Sequence, residues 1–254
     1  MENIRYEEVD GVATLTFNRP EVKNAITHEM YQQIDDLLVR FEASEARVLV
    51  ITGGRQCFCS GADLRDRTRV TMDPLARMRR ISEVAARLHN LSKPTVAKVQ
   101  GVAAGAGCNL ALGCDLVVVS ESASFIEIFS KRALTLDFGG SYLLPRLVGL
   151  AKAKEMAFFA DRIDAKEAVA MGLANKVVPD SEIDDVVATW AERLRSLPPL
   201  ALSLTKRLLN DSFDLTFEEA LERESQAQII NLSSKHAQEA LLAFNERRDP
   251  KFWP

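Results

Sequence analysis

TVAKVQGVAAGAGCNLALGCDLVVVS, Thr95 to Ser120, decides how the rest of the chain is read. TVAKVQ (95–100) is rich in β-branched residues and has the length of a buried strand, and DLVVVS (115–120) repeats that character. Between them GVAAGAGCNLALG (101–113) opens on glycines and alanines and passes into a helical run. Strand, small-residue turn, helix and strand in close succession form the unit of an α/β domain.

The same theme extends to both sides. Upstream, RVLVIT (Arg47 to Thr52) is a buried strand followed by the loop GGRQCFCSGADL. A helix then starts with Asp73 as cap and Pro74 at its first position and runs to about Leu91. Nearer the N-terminus, Ile4–Glu8 and Val12–Phe17 flank Asp10-Gly11, a strong hairpin signal. Met30, Ile34, Leu37, Leu38 and Phe41 recur at helical spacing behind Thr27, a plausible N-cap. Downstream of Gly149 the chain turns almost wholly helical. Asp164 and Glu167 open one helix that Gly172 ends, NKVVP is a short strand or an extended turn, and helices follow at 181–197, 199–211 and 216–244. The last begins with a Thr216-x-x-Glu219 capping box and breaks near Asn231–Ser234. The expected organisation is an α/β core over 1–195 and a helical region over 196–254. Leu221, Ile229, Leu232, Leu241, Leu242 and Phe244 of that region need a partner surface, either the core or another subunit.

The 254 residues suffice for one sizeable core. A formal net charge of -4, with 47% hydrophobic and 27% charged residues, is ordinary for a globular protein and argues against nucleic acid or an anionic membrane as main partner. No apolar run reaches the ~20 residues of a membrane helix. MENIRYEEVDG lacks a signal-peptide core, which points to the cytoplasm. Cys57, Cys59, Cys108 and Cys114 fit neither a CxxC pair nor a zinc pattern, and His28, His89 and His236 are scattered. No metal is expected.

Two turns could carry chemistry: Gly61-Ala62-Asp63, and Gly105-Ala106-Gly107 at a helix start. Small residues let a ligand approach the backbone, and two converging N–H groups would form an oxyanion hole. The same glycines could serve only close packing. Gly101-x3-Gly105-x-Gly107 also resembles a dinucleotide turn. However, no acidic residue follows at the ribose position, and Tyr142 is spaced to Arg146 where a dehydrogenase would need lysine. Ser60-Gly61 lacks the G-x-S-x-G frame of a hydrolase.

At this point the chain resembles the crotonase, or enoyl-CoA hydratase/isomerase, superfamily along nearly its whole length. The matching segments are FNRPEVKNAIT, GGRQCFCSGADL, VQGVAAGAGCNLALGCDLVVVSESASF, DFGGSYLLPRLVGLAKAKEMAFFADRIDAKEAVAMGLANKVV and NERRDPKFWP, in family order. The resemblance implies a crotonase-like spiral of ββα units with a C-terminal helical trimerisation region, and a homotrimer or hexamer. It implies an acyl-CoA substrate, with coenzyme A as part of the substrate and no further cofactor. The thioester oxygen would be held by the N–H groups of Ala62 and Ala106. The Ala62-Asp63-Leu64 backbone, Lys23 and Ala25 would meet the CoA, and Lys251 and Phe252 would do so from the tail, often for a neighbouring subunit.

Family hydratases use two glutamates. Here those positions fall on Asn109 and Phe129, neither of which can act as a general base. Glu127 stands two residues from the second position. Asp137 remains, in LDFGGSYLLPRLVG. This is similar to the P-D-x-G-G-S segment of phenylacetate-pathway-type enoyl-CoA isomerases, with Leu136 where proline is usual. One carboxylate suffices to move a proton in a double-bond shift, and an apolar surround would raise its pKa. Asp137 could instead cap the helix that starts near Gly139. Hydration of a 2-enoyl-CoA and non-catalytic acyl-CoA binding remain open beside isomerisation. The charged run Arg65 to Met72 borders the acyl side and resembles a solvated loop.

Overall fold

The computed structural model describes residues 2–67 and 72–253. Residues 68–71 of the charged run, Arg69 among them, lie outside the described residues. β1 (Ile4–Val9) and β2 (Val12–Phe17) pair antiparallel through Asp10 and Gly11, both at positive φ (47° and 75°), as a tight hairpin turn requires. A Cβ on Gly11 would also lie 2.9 Å from the Trp253 ring, so the C-terminus is seated on this turn. α1 (His28–Ala43) follows, with the Thr27 hydroxyl accepting from the Met30 N–H.

Two sheets then grow in alternation. β3 (Val48–Thr52) enters the first sheet and β4 (Cys57–Cys59) the second, before α2 (Leu64–Arg67) and α3 (Pro74–Asn90). β5 (Thr95–Val99) and β6 (Val102–Ala104) repeat the step ahead of α4 (Ala106–Leu112), and β7 (Leu116–Ser120) and β8 (Ser124–Ile126) repeat it again. α5 (Gly140–Val148) and α6 (Leu150–Phe159) lead to β9 (Ile163–Asp164), α7 (Ala165–Ala170) and β10 (Lys176–Val178). The first sheet runs β1-β2-β3-β5-β7-β10 and the second β4-β6-β8-β9. This is the expected spiral of ββα units.

The segments 57–59 and 102–104, read from sequence as loop and turn, are strands. Three residues carry no periodicity, and what makes them strands is the corner before each one. A Cβ on Gly53 would lie 2.0 Å from the Phe58 carbonyl oxygen, and one on Gly101 2.3 Å from that of Gln56. The chain can double back this tightly only where no side chain intervenes.

Parallel strands covered on both faces read as continuous apolar runs. In β3, Leu49 and Ile51 join the main core with α1, α3 and α4. Val48 and Val50 face the other way, with Val96, Val118 and Val178, onto Ile183, Val187 and Ala191 of α8 (Ile183–Ser196). The 195/196 boundary therefore falls on the last turn of a helix that covers the sheet.

Beyond it lie α9 (Pro199–Asp211), α10 (Phe217–Leu232) and α11 (Lys235–Glu246). The capping box of Thr216 and Glu219 is formed, and the break near 231–234 is real, with Ser234 capping α11. Ile229, Leu232, Leu241 and Phe244 are exposed, so the core does not supply their partner surface. Among the described residues no helix is long and apolar enough to cross a membrane.

Candidate active site

The turn after β4 meets the turn before α4 because both are stripped of side chains. A Cβ on Gly61 would lie 2.8 Å from the Ala104 carbonyl oxygen and 3.5 Å from the Ala106 nitrogen. One on Gly107 would lie 2.5 Å from the Cys59 carbonyl oxygen and 2.7 Å from its Sγ. The close approach of the two turns thus depends on these glycines.

Backbone bonding fixes the direction of the first donor. Ile26 and Ala62 form a parallel bridge in which Ile26 N–H donates to Gly61 and Asp63 N–H donates to Ile26, both at 2.8 Å. The bridged residue keeps its own N–H on the opposite edge, which leaves the Ala62 N–H outside the bridge. Ala106 is the first residue of α4, where the N–H has no intrahelical acceptor.

Arg19 and Asn24 brace this region. The Arg19 guanidinium donates to the Ala25 carbonyl at 2.6 Å and forks onto Oδ2 of Asp63 at 3.2 Å from both terminal nitrogens. Burial pushes the Asp63 carboxyl up, but the Asp66 and Arg65 N–H groups and the Arg19 guanidinium outweigh it and hold the carboxyl below its ordinary value. Asn24 is buried in the left-handed conformation that asparagine tolerates (φ 55°), and its amide donates to the carbonyls of Gly53 and Cys57.

A cleft of about 310 Å³ opens beside the turn, lined by Ala62, Asp63 and Leu64 on one side and by Leu134 to Asp137 on the other. His28 and Tyr31 of α1 and Met78 and Ile81 of α3 complete much of its wall. A second cavity of about 460 Å³, reaching His89 and Tyr142, also touches Asp137. The carboxylate therefore stands at the partition between the two.

The backbone around Asp137 explains its presentation. Phe138 and Gly139 both adopt positive φ (48° and 81°), which sinks the Phe138 ring against Tyr31, with 6.3 Å between centroids, and leaves Asp137 on the cleft. The Asp137 carbonyl accepts from Gly140 N–H at 3.0 Å and from the Asn109 amide at 2.9 Å. Its Oδ1 is buried with no hydrogen-bond partner. The N-cap of α5 is Gly139, with no side-chain cap bond, so the capping role considered from sequence is not the one Asp137 has. Burial raises its carboxyl to about 6.

The two glycines after Asp137 divide the work. Gly139 supplies the conformation, whereas Gly140 supplies room, since a Cβ there would sit 2.4–2.6 Å from the Asn109 amide. Gly140→Ala is expected to displace Asn109 from the Asp137 carbonyl and to destabilise the fold by about 1–3 kcal/mol. Denaturant unfolding of the variant measures this directly.

Of the residues predicted for the site, Ala62, Asp63, Leu64 and Asp137 line one cleft, and Ala106 lies against Gly61. Lys23 is exposed and its carbonyl accepts from Ser60 N–H, while Ala25 is buried under Arg19. Lys251 and Phe252 are not brought to the cleft of their own chain: the Phe252 carbonyl is bound by Arg47 at 2.9 Å, near the β1–β2 turn. Phe129 is buried beside Gly105, where its ring lies 3.6 Å from the position of an added Cβ. Glu127 is fully buried and borders neither cavity.

Sequence reasoning passed over Tyr31, which sits on the apolar face of α1. Its hydroxyl is buried without a partner, and burial, then the Asp137 charge, keeps the phenol protonated far above its ordinary range. Among the described residues no three His, Cys, Asp or Glu side chains converge as metal ligands.

A sequence profile described as Enoyl-CoA hydratase/isomerase matches residues 7–253. The chain is 36% identical to the 1,2-epoxyphenylacetyl-CoA isomerase of Escherichia coli (strain K12), over 99% of this chain and 98% of that protein. It is 33% identical to the short-chain-enoyl-CoA hydratase of Clostridium acetobutylicum, over 98% and 96% of the two. The crystal structure of enoyl-CoA hydratase from Bacillus anthracis superimposes with a TM-score of 0.93 at 30% identity, covering 99% of both chains.

Proposed function

The chain belongs to the enoyl-CoA hydratase/isomerase family, and on that premise we propose that it shifts a double bond in an unsaturated acyl-CoA. The observation that carries this reading is the standing of the carboxylates. Asp137 faces the cleft with a free oxygen, Asn109 and Phe129 occupy the two positions where the resemblance puts hydratase glutamates, and Glu127 is sealed inside.

In the proposed reaction, ionised Asp137 removes a proton from carbon next to the thioester or its vinylogue. The electron pair moves onto the thioester oxygen as an enolate, held by the N–H groups of Ala62 and Ala106. Asp137, now a carboxylic acid, returns the proton at the other end of the three-carbon unit, and the double bond moves without gain or loss of atoms. Tyr31, Phe138, Met78 and Leu136 shield the exchange from water, which would otherwise compete for the proton. Coenzyme A enters as part of the substrate, along Lys23, Ala25 and the Ala62–Leu64 backbone, and no other cofactor is required.

Lys251 and Phe252 would meet the CoA of a neighbouring copy in a homotrimer or hexamer, assembled over the exposed apolar residues of α10 and α11. The proposed location is the cytoplasm.

Because the reactive form is the carboxylate, kcat/KM should rise as pH climbs through about 6, where burial places the Asp137 carboxyl. The same shift acts oppositely on stability. A folded-state pKa above the unfolded one favours folding at low pH, and that contribution is lost as pH rises through about 6. Asp137→Asn should therefore melt higher than the wild type at pH 8, measurable by thermal unfolding at both ends of the range.

Hydration of a 2-enoyl-CoA is the second reading, since relatives at similar identity carry hydratase names. The absorbance of the conjugated 2-enoyl-CoA formed from a 3-enoyl-CoA tests the first reading. Activity lost in Glu127→Gln and retained in Asp137→Asn would favour the second.

A further inference from the structure

The spacing of Tyr142 to Arg146, which does not suit a dehydrogenase, serves another purpose in the folded chain. The two residues stand at i and i+4 on α5 and therefore share a face. The Arg146 guanidinium lies 3.4 Å from the centroid of the Tyr142 ring. It also donates to the Tyr142 carbonyl at 3.1 Å and to Oδ1 of Asp214 at 3.3 Å. The Tyr142 hydroxyl donates to Oδ2 of the same carboxylate at 3.1 Å. Phe213, next to Asp214 in the helical region, has its ring 5.3 Å from the guanidinium. A tyrosine stacked on its face and tied at its hydroxyl is held in one orientation. The ring meets that of His89 edge to face, with 6.1 Å between centroids, and both rings line the second cavity.

That cavity has a floor built for an apolar guest. Met78, Ser82, Ala85, Ala86 and His89 form one stripe of α3 at helical spacing, and the small side chains in the middle of the stripe leave a space of about 460 Å³. Leu136, Phe138 and Leu143 stand opposite. Met78, Leu136 and Asp137 border both this cavity and the cleft that holds Ala62, so the two spaces meet at the carboxylate. We propose that the second cavity takes the part of the acyl group beyond the reacting carbons, and that Tyr142, fixed by Arg146 and Asp214, ends it and so sets the acyl length. The substrate class is then an acyl-CoA whose apolar tail is longer than a butenoyl group, which would leave the cavity unused. Burial, then the Lys206 charge, lowers the pKa of His89, so its imidazole is uncharged at neutral pH and does not oppose such a tail. The helical region acts on specificity from outside the cleft, through Asp214 and Phe213. The assignment of the tail to this side rests on Asp137 being the reacting group.

Calorimetric titration with butyryl-, hexanoyl-, octanoyl-, decanoyl- and dodecanoyl-CoA tests this, because saturated chains bind without being turned over. Affinity should rise about two- to fourfold per added methylene, the upper figure being that of full burial, and then level off where the chain meets Tyr142. Ala86→Trp fills the middle of the stripe from an exposed position and should cut the octanoyl-over-butyryl preference about tenfold or more. Tyr142→Ala should move the levelling point to a longer chain. Asp214→Ala, which removes an exposed carboxylate and frees the ring, should move it the same way, and it reads the wall even if Tyr142→Ala does not fold. Octanoyl-CoA bound no more tightly than butyryl-CoA, equal weakening of both by Ala86→Trp, or a levelling point unmoved in the Tyr142 and Asp214 variants that fold would overturn the proposal. Failure of the underlying reading is separate: it shows as an undiminished rate in Asp137→Asn, whereas these affinities need no turnover.

Discussion

Asp137→Asn is expected to lower kcat for double-bond migration by about 10²–10⁴-fold, the range a single positioned acid–base group contributes. Asparagine fills nearly the same volume, and the contacts that fix the residue are made by its backbone: Gly140 N–H and the Asn109 amide both bind the Asp137 carbonyl. The substitution therefore leaves the cleft in shape and removes only the proton-accepting oxygen. Affinity for the acyl-CoA should change little, since the CoA is proposed to lie along Ala62, Asp63 and Leu64, across the cleft from Asp137. A fall in kcat at constant KM, together with the raised melting temperature at pH 8, would separate lost chemistry from lost folding.

The second large effect concerns the oxyanion donor proposed on α4. Ala106 is the first helical residue, where proline is tolerated because the N–H it lacks has no intrahelical acceptor. Ala106→Pro thus deletes one proposed hydrogen-bond donor without breaking the α4 ladder. Removal of such a donor costs about 10²–10³ in kcat, or roughly 3–4 kcal/mol of transition-state stabilisation. A proline ring at this point also approaches Gly61, whose added Cβ would lie 3.5 Å from the Ala106 nitrogen. Ala106→Gly serves as the control, since it keeps the N–H and should keep most of the rate. Steady-state kinetics on the two variants, with thermal unfolding, distinguish a lost donor from a disturbed turn.

Much of the fold is legible in the sequence because its cues are local. Asp10-Gly11 dictates the hairpin, Thr27, Asp73, Asp164 and Thr216 cap the helices they were assigned to, and the runs at 48–52, 95–99 and 116–120 form the parallel sheet. The second sheet is not legible in this way. Cys57–Cys59 and Val102–Ala104 are strands through contacts between distant segments, and their glycine corners look like ordinary loop residues until Phe58 and Gln56 are seen packed against them.

The site divides along the same line. Asp137 and the two turns stand out because a charge or a glycine cluster interrupts an apolar stretch. Tyr31 does not, since a tyrosine on the buried face of α1 looks like core. The bond from Asn109 to the Asp137 carbonyl spans 28 residues and depends on Gly140 having no side chain. The reading of Asp137 as a cap failed for a related reason: Phe138 takes a positive φ, and that turns the side chain before it out of line with α5.

Whether the protein moves a proton or adds water is answered most directly by the mass of its product. Incubated with a 3-enoyl-CoA in water enriched in oxygen-18, the wild type should yield a conjugated 2-enoyl-CoA of unchanged mass and no heavy oxygen, and Asp137→Asn should yield almost none. Unconverted substrate, a hydroxyacyl-CoA carrying the label, or an undiminished yield from Asp137→Asn would contradict the account.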